Sequence, residues 1–121
     1  MTSPLSAEVV SEAVALTHSR KERGNQASYL RLMGEFTALS DAANVEQAID
    51  FSRQALTLAE ELGMRPLAAH CHRGLGKLYS QIEQAEQARV ELPIAIEMYR
   101  NMEMTFWLLE AAAALDEMEG R

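Results

Sequence analysis

The chain repeats itself. Glu46-Gln47-Ala48 recurs as Glu86-Gln87-Ala88, and the same offset of 40 pairs Ala55 with Ala95, Leu56 with Ile96, Leu62 with Met102 and Met64 with Met104. An offset of 42 pairs Ala13 with Ala55, Val14 with Leu56, Leu16 with Leu58 and Gly34 with Gly76, so insertions of different length separate the copies. A period near 40 in a chain of helix formers restricts the fold to stacked helical hairpins, because one such hairpin cannot bury its apolar face alone.

The residues agree with that restriction. Alanine, leucine, glutamate and glutamine dominate, aromatics are few, and three prolines and six glycines in 121 residues leave little to interrupt helices. Between Asn44 and Leu62, the residues Val45, Ala48, Ile49, Ser52, Ala55, Leu56, Ala59 and Leu62 recur at three- and four-residue steps, an amphipathic helix. Asn44 and Gln47 form a candidate reciprocal cap, Gly63 a left-handed stop, and Pro66 suits the first turn of the next helix. The expectation is an all-α, single-domain chain of about six helices, at 4–22, 26–39, 44–62, 66–82, 85–102 and 105–118, with Ser3 before Pro4 starting the first. Grouped by the repeat, these are an incomplete repeat helix (1–22), two hairpins (26–62 and 66–102) and a closing helix (105–118). Pro93 falls inside the fifth helix, where the lost backbone hydrogen bond predicts a bend between Arg89 and Pro93.

Charge and cysteine content bound the function. A formal charge of -7 speaks against nucleic acid, which needs clustered cations. One cysteine cannot form an internal disulfide, the N-terminal residues carry no secretory signal pattern, and no apolar run approaches the ~20 residues that span a bilayer. The cytoplasm is the expected compartment, with no membrane and no nucleic-acid partner.

Residues 70 to 79, His-Cys-His-Arg-Gly-Leu-Gly-Lys-Leu-Tyr, offer three chemical readings, and each runs against helical geometry. His70 and His72, two apart, point to opposite sides of a helix, whereas helical metal ligands need spacings of three or four. Gly74-Leu75-Gly76-Lys77 lacks the full phosphate-loop pattern and follows helix instead of strand. No histidine stands at a spacing from Cys71 that predicts a nucleophile and base, and carboxylates such as Glu60-Glu61 and Glu83, Glu86 and Glu91 read as solvated faces. No catalytic residue, metal site or cofactor is therefore expected. Met98, Met102 and Met104, three of seven methionines, read as core packing around Phe106 and Trp107.

Leu75-Gly76-Lys77-Leu78-Tyr79, followed by Ala88, Leu92 and Ala95, resembles the tetratricopeptide repeat, with Leu-Gly and Tyr on one helix and Ala, a large apolar residue and Ala on the next. Gly34, Ala48 and Ala55 fit the same pattern one repeat earlier, with Thr37 and Ser52 where Tyr79 and Leu92 stand later. Leu58-Ala59-Glu60-Glu61-Leu62-Gly63-Met64-Arg65-Pro66-Leu67 with Ala69-His70-Cys71-His72, together with Met104-Thr105-Phe106-Trp107-Leu108, is similar to the C-terminal repeat region of large bacterial signalling proteins. Those proteins join an adenylate-cyclase-like or LuxR-type domain to an ATPase. The resemblance runs from about Ala13 to Leu115 and implies a right-handed superhelical stack with a non-enzymatic scaffold or regulatory role in protein binding.

The first helix of each hairpin would line a concave side. The stripe His70, Arg73, Lys77 and Ser80, with Gln81 beside it, and its counterpart Ser28, Arg31, Glu35 and Ala38 at the offset of 42, make a locally basic groove on an acidic chain. Arg31, Arg73 and Lys77, joined by His70 on protonation, suit an acidic peptide or protein segment; an ordinary solvated face is the alternative. A rival function is self-association, a homodimer covering Val9, Val10, Val14 and Leu16.

Overall fold

The computed structural model describes residues 7–40 and 44–120, and within the first helix the side chains from residue 15 onward except 17 and 40. The described residues form five helices: α1 (Ala7–Ser40), α2 (Val45–Leu62), α3 (Arg65–Gln81), α4 (Ala85–Asn101) and α5 (Thr105–Glu119). Each helix packs on the next, and α1 also meets α3 and α3 meets α5, whereas the backbones of α2 and α4 do not approach. The odd-numbered helices thus form one layer and the even-numbered helices another. The fold is all-α.

The repeat is visible as three equivalent turns. Gly63, Glu83 and Glu103, spaced by twenty residues, take φ of 70°, 59° and 57°. Behind each, an amide reaches back across the turn: Met64 to the Ala59 carbonyl, Gln84 to Tyr79 and Met104 to Tyr99, all at 2.9 Å. Gly63 accepts the left-handed conformation without steric penalty, and Glu83 and Glu103 do not. The turn between α3 and α4, which lacks glycine, therefore keeps the same geometry at a local cost. Satisfying the orphan carbonyls of the preceding helix compensates for it.

Packing repeats as well. Ala48 and Ala88, and Ala55 and Ala95, are each 0% exposed. A Cβ added to Gly76 would lie 2.5 Å from Leu92 Cγ, and one added to Gly34 would lie 2.7 Å from Ser52 Oγ and 3.1 Å from the Ala48 carbonyl. The small residues mark where α1 crosses α2 and α3 crosses α4. Leu75 and Leu92 are buried, Leu92 at the α3–α4 crossing itself, and the Tyr79 hydroxyl accepts a hydrogen bond from Arg53 of α2, whose guanidinium also lies over the ring.

Several local expectations change. No break separates 22 from 26: α1 runs unbroken through Gly24, since a single interior glycine costs only about 1 kcal/mol and this one packs against Met64. Five helices therefore stand where about six were expected. Asn44 precedes α2 but makes no side-chain capping bond. The α4 helix holds exposed Pro93 in its interior without interruption, which shows helical continuity and leaves the expected bend between Arg89 and Pro93 a separate matter. Glu91 is not solvated: it is 9% exposed, with Oε2 2.6 Å from Nδ1 of His72. Ser3, Pro4 and the side chains of Val9, Val10, Ala13 and Val14 lie outside the described residues. Leu16 is exposed, beyond the point where Arg20 donates to the Leu62 carbonyl at the end of α2.

Candidate functional site

The odd-numbered layer contains a cleft of about 220 Å3 between α1 and α3. Its walls include Arg31, Glu35, His70, Arg73, Lys77 and Gln81, and its floor Gly34, Ser52, Cys71 and Leu78. The residues that the offset of 42 relates thus come together across the groove, from successive turns of two neighbouring helices. Ser28 does not join them: it is half-buried and borders a separate depression with Arg20, Lys21 and Met64. Ser80, also half-buried, is not part of the cleft wall.

Each cation has a different environment. Arg31 donates to Glu35 at 2.8 Å one turn away, so its charge is partly answered within α1. The guanidinium carbon of Arg73 instead lies over Trp107, 4.5 Å from the ring centroid. The Nε atoms of both arginines are buried and have no hydrogen-bond partner among the described residues. Among the described residues Arg73 and Lys77 form no ion pair, and Lys77 is exposed. Among the described residues Glu35 is the one carboxylate in the cleft wall, against Arg31, Arg73 and Lys77, so the described wall is positive on a chain of charge -7.

His70 does not add to that charge near neutrality. Its Nδ1 hydrogen-bonds the Tyr99 hydroxyl at 2.7 Å, and Trp107 meets its ring edge to face at 4.9 Å. Burial first, then repulsion from Arg73 and Arg31, lowers its pKa from 6.5 to about 4. Burial likewise raises Tyr99 to about 12, against the pull of Arg73 and Arg31. Cys71, 1% exposed beneath the cleft, is also pushed up to about 12 by burial, with Arg31 opposing and Glu35 and Glu60 adding to the rise. A thiol held protonated is a poor nucleophile and a poor metal ligand.

The two histidines point apart, His70 to Tyr99 and Trp107, His72 to Glu91. Among the described residues no three His, Cys, Asp or Glu side chains are placed to hold a metal ion, and no helix is long and apolar enough to cross a membrane. Gly74 and Gly76 sit inside α3 with no loop around them. Met98, Met102 and Met104 pack with Trp107 and Leu108 against Ala95 and Tyr99, so the methionine cluster is core.

Trp107 is the neighbour that sequence reasoning missed: it does not line the cleft, but it supports Arg73, which does. Extending the repeat would have brought the start of α5 beside Arg73, but nothing in the spacing says that this tryptophan turns its face to a guanidinium. The chain matches no protein-family model, no curated protein and no solved structure.

Proposed function

We propose that the chain is a tetratricopeptide-type module, a right-handed superhelical stack without catalytic activity, serving as a scaffold in a cytoplasmic bacterial signalling system. Its partner is a protein whose acidic segment enters the cleft between α1 and α3. One observation carries this reading: Arg31, Arg73 and Lys77 converge on a concave surface of an otherwise acidic chain. Such a local inversion of charge favours carboxylates over the bulk of cellular anionic surfaces through shape, and over cationic partners through sign. Arg31 and Arg73 offer planar donors suited to a carboxylate, and Lys77 offers a mobile point charge at the rim. The repeated turns and the glycine crossings support the family assignment, and the uncharged, hydrogen-bonded His70 and the protonated Cys71 support a passive role.

Titration of fluorescent acidic peptides, with basic and scrambled neutral peptides as controls, tests the reading. The expected result is salt-sensitive binding of acidic peptides that drops at least tenfold in Lys77→Ala combined with Arg73→Gln, while circular dichroism stays unchanged. Equal binding of acidic and neutral peptides, or affinity that survives the double substitution, would overturn it.

A further inference from the structure

The side of α1 turned away from α2 carries Tyr29, Leu32, Phe36 and Leu39 at steps of three, four and three, exposed to 61%, 53%, 65% and 88%. The repeat indicates what belongs on this face. At the offset of 42, Tyr29 and Phe36 correspond to Cys71 and Leu78 of α3, and a further 40 residues on to Ala111 and Met118 of α5. The α3 counterparts of Leu32 and Leu39, Gly74 and Gln81, are half-buried and exposed, whereas these four positions are buried. In α3 they lie on the side of the helix opposite Gly76 and Leu92, toward α2; in α5, Ala111 packs with Ala95 and Tyr99 of α4. Each of these helices therefore has a preceding neighbour over the face that α1 leaves open among the described residues.

The composition of the face points to its occupant. Between Tyr29 and Leu39 the stripe holds no charged residue, and the nearest charges beside it, Arg31 and Glu35, already pair with each other. Toward the N-terminus the same side turns polar, with Lys21, Glu22 and Asn25 exposed and Glu22 paired to His18. An apolar centre with a polar border is the pattern of a protein interface. Its spacing is also self-complementary. Two α1 helices crossed antiparallel place Leu32 of each against Phe36 of the other and Tyr29 against Leu39. The contact would cover on the order of 1,000 Å2 over both copies, the lower bound for a specific association. The other end of the stack does not match this surface, because α5 mixes exposed Phe106 and Leu109 with exposed Asp116 and Glu119.

We infer that the chain forms a two-fold dimer by packing the Tyr29–Leu32–Phe36–Leu39 face of α1 antiparallel against the same face of a second copy. The contact is independent of the cleft's charge and reaches the cleft only at Leu39, which borders it. Sedimentation velocity of the whole chain across a wide concentration range should show a reversible monomer–dimer equilibrium. Phe36→Glu and Leu32→Lys should each give a monomer with unchanged circular dichroism, because both positions are exposed in the single chain. Mixing the two variants should restore a one-to-one dimer, since position 36 of one copy then meets position 32 of the other as a Glu–Lys pair. A wild-type monomer at every concentration, a dimer that survives both substitutions, or variants that stay monomeric on mixing would each overturn the inference.

Discussion

Gly74 and Gly76 lie two residues apart in the same helix and should respond to the same substitution in opposite directions. In Gly74→Ala the new methyl group meets nothing within 4 Å, so only the backbone term changes, and replacing an interior helical glycine is worth about 0.5–1 kcal/mol in favour of the fold. In Gly76→Ala the Cβ arrives 2.5 Å from Leu92 Cγ, 2.7 Å from Cδ2 and 3.4 Å from Cδ1. Leu92 is 0% exposed, and the clash is with the branch point of its side chain and not with a flexible tip, so α3 and α4 must separate. Overpacking of this kind costs about 1–3 kcal/mol, and the severity of the overlap puts it near the upper end, leaving Gly76→Ala about 2 kcal/mol below wild type after the backbone gain. Urea denaturation followed by circular dichroism would measure the pair under identical conditions. A further arm uses Leu92→Ala, which alone should cost about 2–5 kcal/mol and which removes the atoms the methyl group strikes. In that background Gly76→Ala should cost nothing or recover stability. Equal stability of Gly74→Ala and Gly76→Ala, or additive effects of Gly76→Ala and Leu92→Ala, would refute the close crossing of α3 and α4.

Other perturbations follow from the same structure. Glu83→Gly and Glu103→Gly each relieve a left-handed glutamate and should each raise stability by about 0.5–1 kcal/mol, visible as a higher midpoint in thermal melts; a loss in both would contradict the shared turn geometry. His70 titrates lower in the folded chain than in the unfolded one, so its contribution is complete above pH 6.5 and is lost as pH falls toward about 4. That loss is at most about 3 kcal/mol, and His70→Gln should flatten the acid limb of stability against pH; parallel limbs for the two proteins would refute the burial argument. Arg73→Ala removes the cation over Trp107 and should shift tryptophan fluorescence, whereas Lys77→Ala, at the exposed rim, should leave the spectrum unchanged.

What could be read from the sequence depended on whether a residue's role was set by the repeat or by a single contact. Ala48 with Ala88, Ala55 with Ala95 and Gly34 with Gly76 announced the crossings because every copy of a hairpin faces the same steric limit there. The turn after Gly63 was legible for the same reason, but its copies at Glu83 and Glu103 were not, since backbone bonds from the helix ends hold them left-handed without the residue that usually signals it. The expected break between 22 and 26 is absent for a related reason: Gly24 weakens a helix without ending it, and Met64 lies beside it. Glu91 looked like one more surface carboxylate until His72, nineteen residues away in sequence, came within 2.6 Å.

The offset of 42 relates Arg31 to Arg73 and Glu35 to Lys77, and these four line one cleft, but the spacing does not say what sets its charge. His70 was expected to add a proton-dependent cation, and the structure turns it inward to Tyr99 and Trp107, where the neighbouring arginines repel a second positive charge. The consequence is that the positive character of the cleft comes from arginine and lysine alone. With the pKa of His70 lowered to about 4, no histidine proton is gained or lost in the groove near neutrality, and its field changes with ionic strength instead. Attraction of an acidic segment to this surface should thus weaken steeply with added salt while showing a flat response to pH between about 6 and 8. A steep pH response in that range would move the recognition away from Arg31, Arg73 and Lys77 and onto a titrating group elsewhere on the chain.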